Sequence, residues 1–284
     1  MGKFKIDDAL ELRAGKDFEI DSVDPSATPE FNGSKSDLED RFEKYDDELY
    51  ELQERLYANG RAYGDEAPAL LVVLQGMDTS GKGGAIRHVF STFDPQGTYT
   101  HGFGKPTEEE MQHDFLWRIR KHDPRPGQVV AFDRSHYEDV LIQRVHEWVD
   151  EKEMDRRFEA IRAYEKELAD RGVVIIKAFL HLSKEAQKEN LLERTERKDK
   201  YWKYDPSDVE ERAYWDKYME AYEDAIRRTD EDYAPWYAIP TDNKKYARMA
   251  LKFIITDALR GMDLEWPEAD FDPEAERQRI LDAE

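Results

Sequence analysis

The segment Ala69–Gly84 constrains this chain more than any other. It reads Ala-Leu-Leu-Val-Val-Leu-Gln, then Gly76-Met-Asp78-Thr79-Ser80-Gly81-Lys82-Gly83-Gly84. An unbroken apolar run suits a strand buried on both faces, as in a parallel sheet covered by helices. The G-x-x-x-x-G-K spacing lets backbone N–H groups turn inward around an anion, and the N-terminus of the next helix adds positive potential. Lys82 is placed to reach terminal phosphates. This is a P-loop, with Gly76, Thr79, Ser80, Gly81, Gly83 and Gly84 as its phosphate-binding backbone.

Two positions depart from the usual loop. Gly83 stands where a magnesium-binding Ser or Thr is expected, and Asp78 puts an acid inside a phosphate-binding turn. A carboxylate beside phosphates is repulsive unless a metal lies between them or it takes a proton. Asp78 therefore reads as a metal ligand or a base, the alternative being a turn cap bonded to local backbone.

A second apolar run, Gln128–Phe132, ends in Asp133-Arg134-Ser135. A strand ending in Asp at the same sheet edge as a P-loop is a Walker B arrangement, with Asp133 as a ligand of Mg²⁺. Arg134 offers a planar fork for two phosphoryl oxygens. Glu138 and Asp139 open the following helix, where they also complement its dipole.

Strand and helix patterns alternate along the chain. Strands are expected over 69–74, 97–103, 128–132, 173–182 and 236–240. Helices are expected over 37–59, 107–122, 139–149, 153–171, 183–197, 207–228 and 243–259, with capping boxes at Thr107/Glu110 and Ser207/Glu210. This order predicts an α/β fold with a central parallel sheet flanked by helices, and a ligand beyond the carboxyl ends of its strands. The expected organisation is an irregular N-terminal arm over 1–35, a P-loop kinase domain over 36–262 and an acidic tail over 263–284.

Charge sets limits on partners. The chain holds 65 acidic and 43 basic residues, for a net charge of −22. General affinity for nucleic acid or an anionic membrane is not expected, and a polyanion must bind where cations are concentrated. Lys177–Lys203 is such a place, with eight Lys or Arg against five acids. A helical lid over about 184–215, closing on phosphates, is the functional reading, and a solvated helix face the plain one. Trp202, Tyr204, Tyr214, Trp215, Tyr218, Tyr222, Trp236 and Tyr237 are expected mainly in the core. The chain has no cysteine, and its first twenty residues lack the apolar core of a signal peptide, so a cytoplasmic protein is expected.

The stretches GMDTSGKGG, FDPQG, KPTEEEMQHDFLWRI, FDRSHYEDVL, WKYDPSD and APWYAIP, in this order over residues 37–262, resemble the polyphosphate kinase 2 family. The resemblance is strongest to the branch that phosphorylates both nucleoside mono- and diphosphates. It implies a thymidylate-kinase-like fold with a helical lid. It also implies reversible, Mg²⁺-dependent transfer (Mn²⁺ being a possible substitute) between inorganic polyphosphate and ADP/AMP or GDP/GMP. By position, Asp78 and Asp133 would bind magnesium, and Lys82 and Arg134 would hold the transferring group. Arg194 and Lys203 would belong to the lid, Lys105 to a polyphosphate channel, and Glu138 to a position that differs between branches. A homo-oligomer, tetramer or dimer, is implied as well. The alternatives are an ATP-dependent nucleoside monophosphate kinase and a non-catalytic nucleotide- or polyanion-binding protein.

Overall fold

The computed structural model describes residues 4–283. Five strands form the sheet: β1 (Ala69–Gln75), β2 (Thr98–Gly102), β3 (Val129–Asp133), β4 (Val173–His181) and β5 (Trp236–Pro240). All neighbours are parallel, in the order β2-β3-β1-β4-β5. β1 lies at the centre, with Leu74 level with Asp133 on one side and Ala178 on the other. The chain leaves β1 where the strand order switches direction, which is where such sheets open a crevice.

Helices cover both faces. Those before the second strand are α1 (Ile6–Leu10), α2 (Lys35–Lys44), α3 (Asp46–Tyr63) and α4 (Lys82–Val89). The middle of the chain adds α5 (Leu116–Arg120), α6 (Glu138–Val145) and α7 (Glu151–Asp170). The remainder are α8 (Lys184–Glu196), α9 (Ser207–Glu211), α10 (Trp215–Thr229), α11 (Lys244–Gly261) and α12 (Pro273–Asp282). Side chains of a strand alternate between faces. Leu71 and Val73 accordingly pack with α6, α7 and α10, while Leu70, Val72 and Leu74 pack with α4 and α11. Every residue of β1 is buried, which is why its sequence shows no polar alternation.

Several local readings change. The expected helix over 37–59 breaks at Tyr45, between α2 and α3. The capping box at Thr107 forms, with Thr107 N–H donating to Glu110 Oε2 (2.8 Å) and Glu110 N–H to Thr107 Oγ1 (3.2 Å). It starts only a 3₁₀ turn over Glu110–Gln112, not a helix running to His122. Asp114 Oδ1 then accepts from Leu116 N–H (3.0 Å) and starts α5 afresh. At Ser207 no capping box forms; its hydroxyl donates back to Asp205 Oδ1 (2.8 Å).

Residues 4–30 are mostly irregular but firmly packed. Phe4, Ala9, Phe18 and Ile20 are buried. Leu12 O and Ala14 N–H bond to Ala238 N–H and Trp236 O (both 2.9 Å), and Arg13 bridges Tyr237 antiparallel, so this segment lies along the free edge of β5. Trp215, Tyr218, Tyr222 and Trp236 sit in the core as expected, whereas Trp202, Tyr204 and Tyr214 are exposed. Among the described residues no helix is long and apolar enough to cross a membrane.

Candidate active site

The loop after β1 wraps tightly because its backbone visits conformations that few side chains allow. Gly76 has φ +149° and Gly81 φ +104°. A Cβ at Gly76 would stand 2.6 Å from Leu180 O, so β4 pins the loop from below. Thr79 (φ +68°) takes the left-handed region without being glycine, as does Arg134 (φ +63°) where β3 ends. Non-glycine residues held there are uncommon and gather where surrounding structure fixes them for a purpose.

The buried Lys82 folds back over the loop, donating from Nζ to Gly76 O (2.7 Å) and Met77 O (3.3 Å). Burial, then Arg134, pull its ammonium below the usual value against the opposing pull of Asp78, Asp133 and Glu138. Arg134 Nη2 donates to Asp78 Oδ1 at 2.6 Å. Burial would raise the Asp78 carboxyl, but Lys82, Arg134 and Arg194 outweigh it and hold it below the ordinary carboxylate value. Arg134 is raised chiefly by Glu138, against burial, with Asp78 adding to the rise. Glu138 is itself raised by burial, only partly offset by Arg134 and Lys82. Turned with its nitrogen toward Glu138, the Gln75 amide donates to Oε1 (3.0 Å) and accepts from Ser135 N–H (3.1 Å).

Asp78, Lys82, Asp133, Arg134 and Glu138, with the glycines of the loop, thus converge at the carboxyl edge of β1 and β3. Arg194 joins them from α8. Its Nη1 donates to Asp208 Oδ2 (2.8 Å) and Lys203 O (2.9 Å), and its charge reaches Asp78. Lys203 and Lys105 do not enter this cluster. Lys203 is exposed, with its ammonium over the Trp202 ring, and Lys105 is exposed and acts on Asp205 of the loop before α9.

Three contributors escaped the sequence reading. Gln187 Nε2 donates to Asp78 O (3.2 Å) and Asn190 Nδ2 to Thr79 O (3.4 Å), tying α8 to the loop. Asp208 is buried, and burial together with Asp78 pushes its carboxyl up to about 6 against Arg194. Asp208 closes the WKYDPSD stretch, whose resemblance gave it no role, and Gln187 and Asn190 lie in no motif; all three become meaningful only when α8 and α9 fold over the loop.

Among the described residues no three His, Cys, Asp or Glu side chains gather as a metal cage. Mg²⁺ does not need one, since it is commonly held by one or two carboxylates, water and substrate phosphates. A Cβ at Gly83 would lie 3.8 Å from Asp133 Oδ2. Glycine there keeps the space before Asp133 open, and Asp78 with Asp133 fits a hard divalent cation shared with phosphate oxygens.

Residues 34–267 match the family described as polyphosphate kinase 2. The chain belongs to the polyphosphate kinase 2 family. It is 41% identical over 264 residues to an AMP/ADP-polyphosphate phosphotransferase of Meiothermus ruber, covering 93% of this chain and 95% of that protein. It is 36% identical to an ADP-polyphosphate phosphotransferase of Rhodopseudomonas palustris, covering 91% of this chain and 92% of that one. Among solved structures, polyphosphate kinase 2 from Arthrobacter aurescens TC1 superposes with a TM-score of 0.95 at 45% identity, covering 100% of this chain and 99% of that one. The α/β fold with its parallel sheet is therefore a fold of this family.

Proposed function

We propose that this chain transfers a phosphoryl group reversibly between inorganic polyphosphate and nucleoside mono- and diphosphates, ADP/AMP or GDP/GMP, with Mg²⁺. One observation carries the reading: Asp78 and Asp133 flank Lys82 and Arg134 at one end of β1 and β3, in a chain whose family match runs from 34 to 267. The Meiothermus ruber relative, named for both AMP and ADP, supports the branch that accepts both.

The chemistry asks for positioning and charge neutralisation more than for a protein nucleophile. The acceptor is already a phosphate oxyanion, so a strong general base is less needed than for a hydroxyl acceptor. Lys82 and Arg134 hold the equatorial oxygens of the group in flight. The loop N–H groups of 79–84 cradle the flanking phosphate. Mg²⁺, held by Asp78 and Asp133, would neutralise phosphate oxygens when bound. Residues 184–215 act as the lid that brings Arg194 and Lys203 over the site and excludes water. Lys105, facing the lid loop, lines the approach of the polyphosphate chain. Breaking one phosphoanhydride while forming another leaves a small energy difference, so concentrations set the direction.

The catalytic unit is residues 36–262, between the N-terminal arm and the acidic tail. We read it as a cytoplasmic homo-oligomer, tetramer or dimer, because its substrates are cytoplasmic metabolites and family members assemble. Light scattering on the purified chain tests the assembly. The activity is tested by ATP formation from long-chain polyphosphate with ADP, then AMP, in Mg²⁺ without added ATP. Product from both acceptors is expected. Product from ADP alone would reject the broader branch, and turnover only from ATP with a nucleoside monophosphate would reject the polyphosphate reading.

A further inference from the structure

Six apolar residues of β1 are followed by Gln75, whose side chain is as completely buried as theirs. Burying an amide within a sheet is costly unless its hydrogen bonds are made, and those of Gln75 all go to one place. With its nitrogen toward Glu138, Gln75 Oε1 accepts from Ser135 N–H and from the Ser135 hydroxyl (both 3.1 Å), and Nε2 donates to Glu138 Oε1 (3.0 Å). We propose that Gln75 is a positioning residue for the transfer, one that touches no substrate and sets Arg134 through Ser135 and through Glu138. The proposal rests on the phosphotransferase reading above, and gives a role to a residue that precedes the P-loop and belongs to no motif.

The need for such a residue lies in the backbone. Arg134 stands at φ +63°, in the left-handed region, and a side chain there persists only where its neighbours over-determine it. The last two residues of β1 do so. Leu74 O accepts from Arg134 N–H (3.1 Å), and the next residue, Gln75, takes the N–H of Ser135. Ser135 in turn braces the start of α6. Its Oγ accepts from Tyr137 N–H (3.2 Å) and its carbonyl from Glu138 N–H (3.1 Å). One buried amide thus ties the strained turn that presents Arg134 to the strand that launches the P-loop.

The other half of the amide acts on charge. Glu138 raises Arg134 more than any other group does, and Arg134, Lys82 and Asp78 all act on Glu138 in return. By donating to Oε1, Gln75 fixes which way that carboxyl faces. Arg134 is therefore held by two acids. Asp78, at 2.6 Å, is aimed by the loop, and Glu138 is aimed by Gln75. A hydrocarbon of similar size would fill the space and make neither bond. A glutamate would keep the acceptor for Ser135 but set a second carboxyl against Glu138, and two carboxylates that close repel unless they share a proton.

The test uses the full chain with ADP and long-chain polyphosphate in Mg²⁺, with each variant's kcat taken relative to the parent at the same pH. Gln75→Leu should lower kcat about tenfold or more while KM for ADP stays within about twofold. Gln75→Glu recovers its contact with Glu138 only when the two carboxyls share a proton. Its relative kcat should therefore climb as pH falls from about 8 to about 6, while that of Gln75→Leu stays flat. A residue that merely fills space would show no such recovery, and Gln75→Glu carries the test alone should the leucine variant fold poorly. Parent-like kcat in Gln75→Leu, or a relative kcat of Gln75→Glu that does not climb, would overturn the assignment and leave the function standing. A raised KM for ADP at unchanged kcat would make Gln75 a substrate contact and overturn it too. A parent that forms no ATP from polyphosphate would bring down both readings.

Discussion

Arg134 and Asp78 are joined at 2.6 Å although 56 residues separate them in sequence. The contact links the residue that ends β3 to the acid inside the P-loop, so the sheet register that sets Leu74 beside Asp133 also sets the electrostatics of the loop. Together with Lys82 it holds the Asp78 carboxyl below its ordinary value despite burial, and Asp78 returns part of the effect on Arg134. Arg134→Ala should lower kcat by about a hundredfold or more, as expected when a charged group facing the transferring phosphoryl is lost. KM for the nucleotide should change far less. Steady-state kinetics with ADP and polyphosphate check this, and a variant with wild-type kcat would remove Arg134 from the reaction.

Lys82→Ala and Asp133→Ala should each abolish most turnover while leaving the fold intact. Far-UV circular dichroism should match the parent, and ATP formation should fall by about two orders of magnitude or more. Full activity in either variant would break the assignment of the site.

Glu165 and Lys177 form a fully buried ion pair at 2.6 Å. Tyr137 OH donates to Glu165 Oε1 (2.8 Å), and Lys177 Nζ also donates to Thr229 O (2.7 Å). Removing one partner strands the other in the core. Glu165→Leu or Lys177→Met alone should cost about 3–5 kcal/mol, while the two together should cost less than the sum of the single changes. Urea unfolding of the two single variants and the double variant gives the comparison, and additive losses would contradict it.

Burial lifts the Asp139 carboxyl to about 6 against the pull of Arg157. Its folded value lies above its unfolded one, so the folded chain binds more protons between the two. Its contribution to stability should therefore rise as pH falls from about 6 toward about 4, by ~1.4 kcal/mol for each unit of separation. Asp139→Asn removes this dependence. The difference in unfolding free energy between parent and variant should move in favour of the parent on acidification; a flat difference across that window would contradict the assignment.

Gly76→Ala should be among the most damaging small substitutions. Its φ of +149° and the approach of Leu180 O at 2.6 Å leave no room for a methyl group. A lower melting temperature together with lost activity is expected, because the loop must shift or β4 must yield. A variant with the parent's melting temperature and rate would show that the loop adapts freely.

What the sequence made legible follows from range. β1 and β3 are apolar runs, and β4 one broken only by Lys177, because helices bury both of their faces, and the P-loop announces itself because its chemistry is local. The residues that escaped depend on distant neighbours. Asp208 resembles any other acid in a highly charged stretch until Arg194 and Asp78 surround it. Gln187 and Asn190 are ordinary helix residues whose partners are loop carbonyls more than a hundred positions away. Thr107 shows the opposite error: a correct local signal formed its bonds, yet the chain turned after Gln112 and α5 began again at Leu116. Trp202 and Tyr204 follow helical spacing with their aromatic neighbours but lie in or beside a 3₁₀ stretch, on the surface.

The backbone of Leu12–Ala14 lying against β5 has a practical side. The family match begins at residue 34, so a gene trimmed to that boundary would delete the strip that shields the sheet's last strand. Trp236 and Ala238 would then offer unpaired backbone groups along an open border, the kind of border on which chains stack edge to edge and precipitate. Whoever shortens this protein for crystallisation or immobilisation should cut from the acidic end and leave the first thirty residues in place.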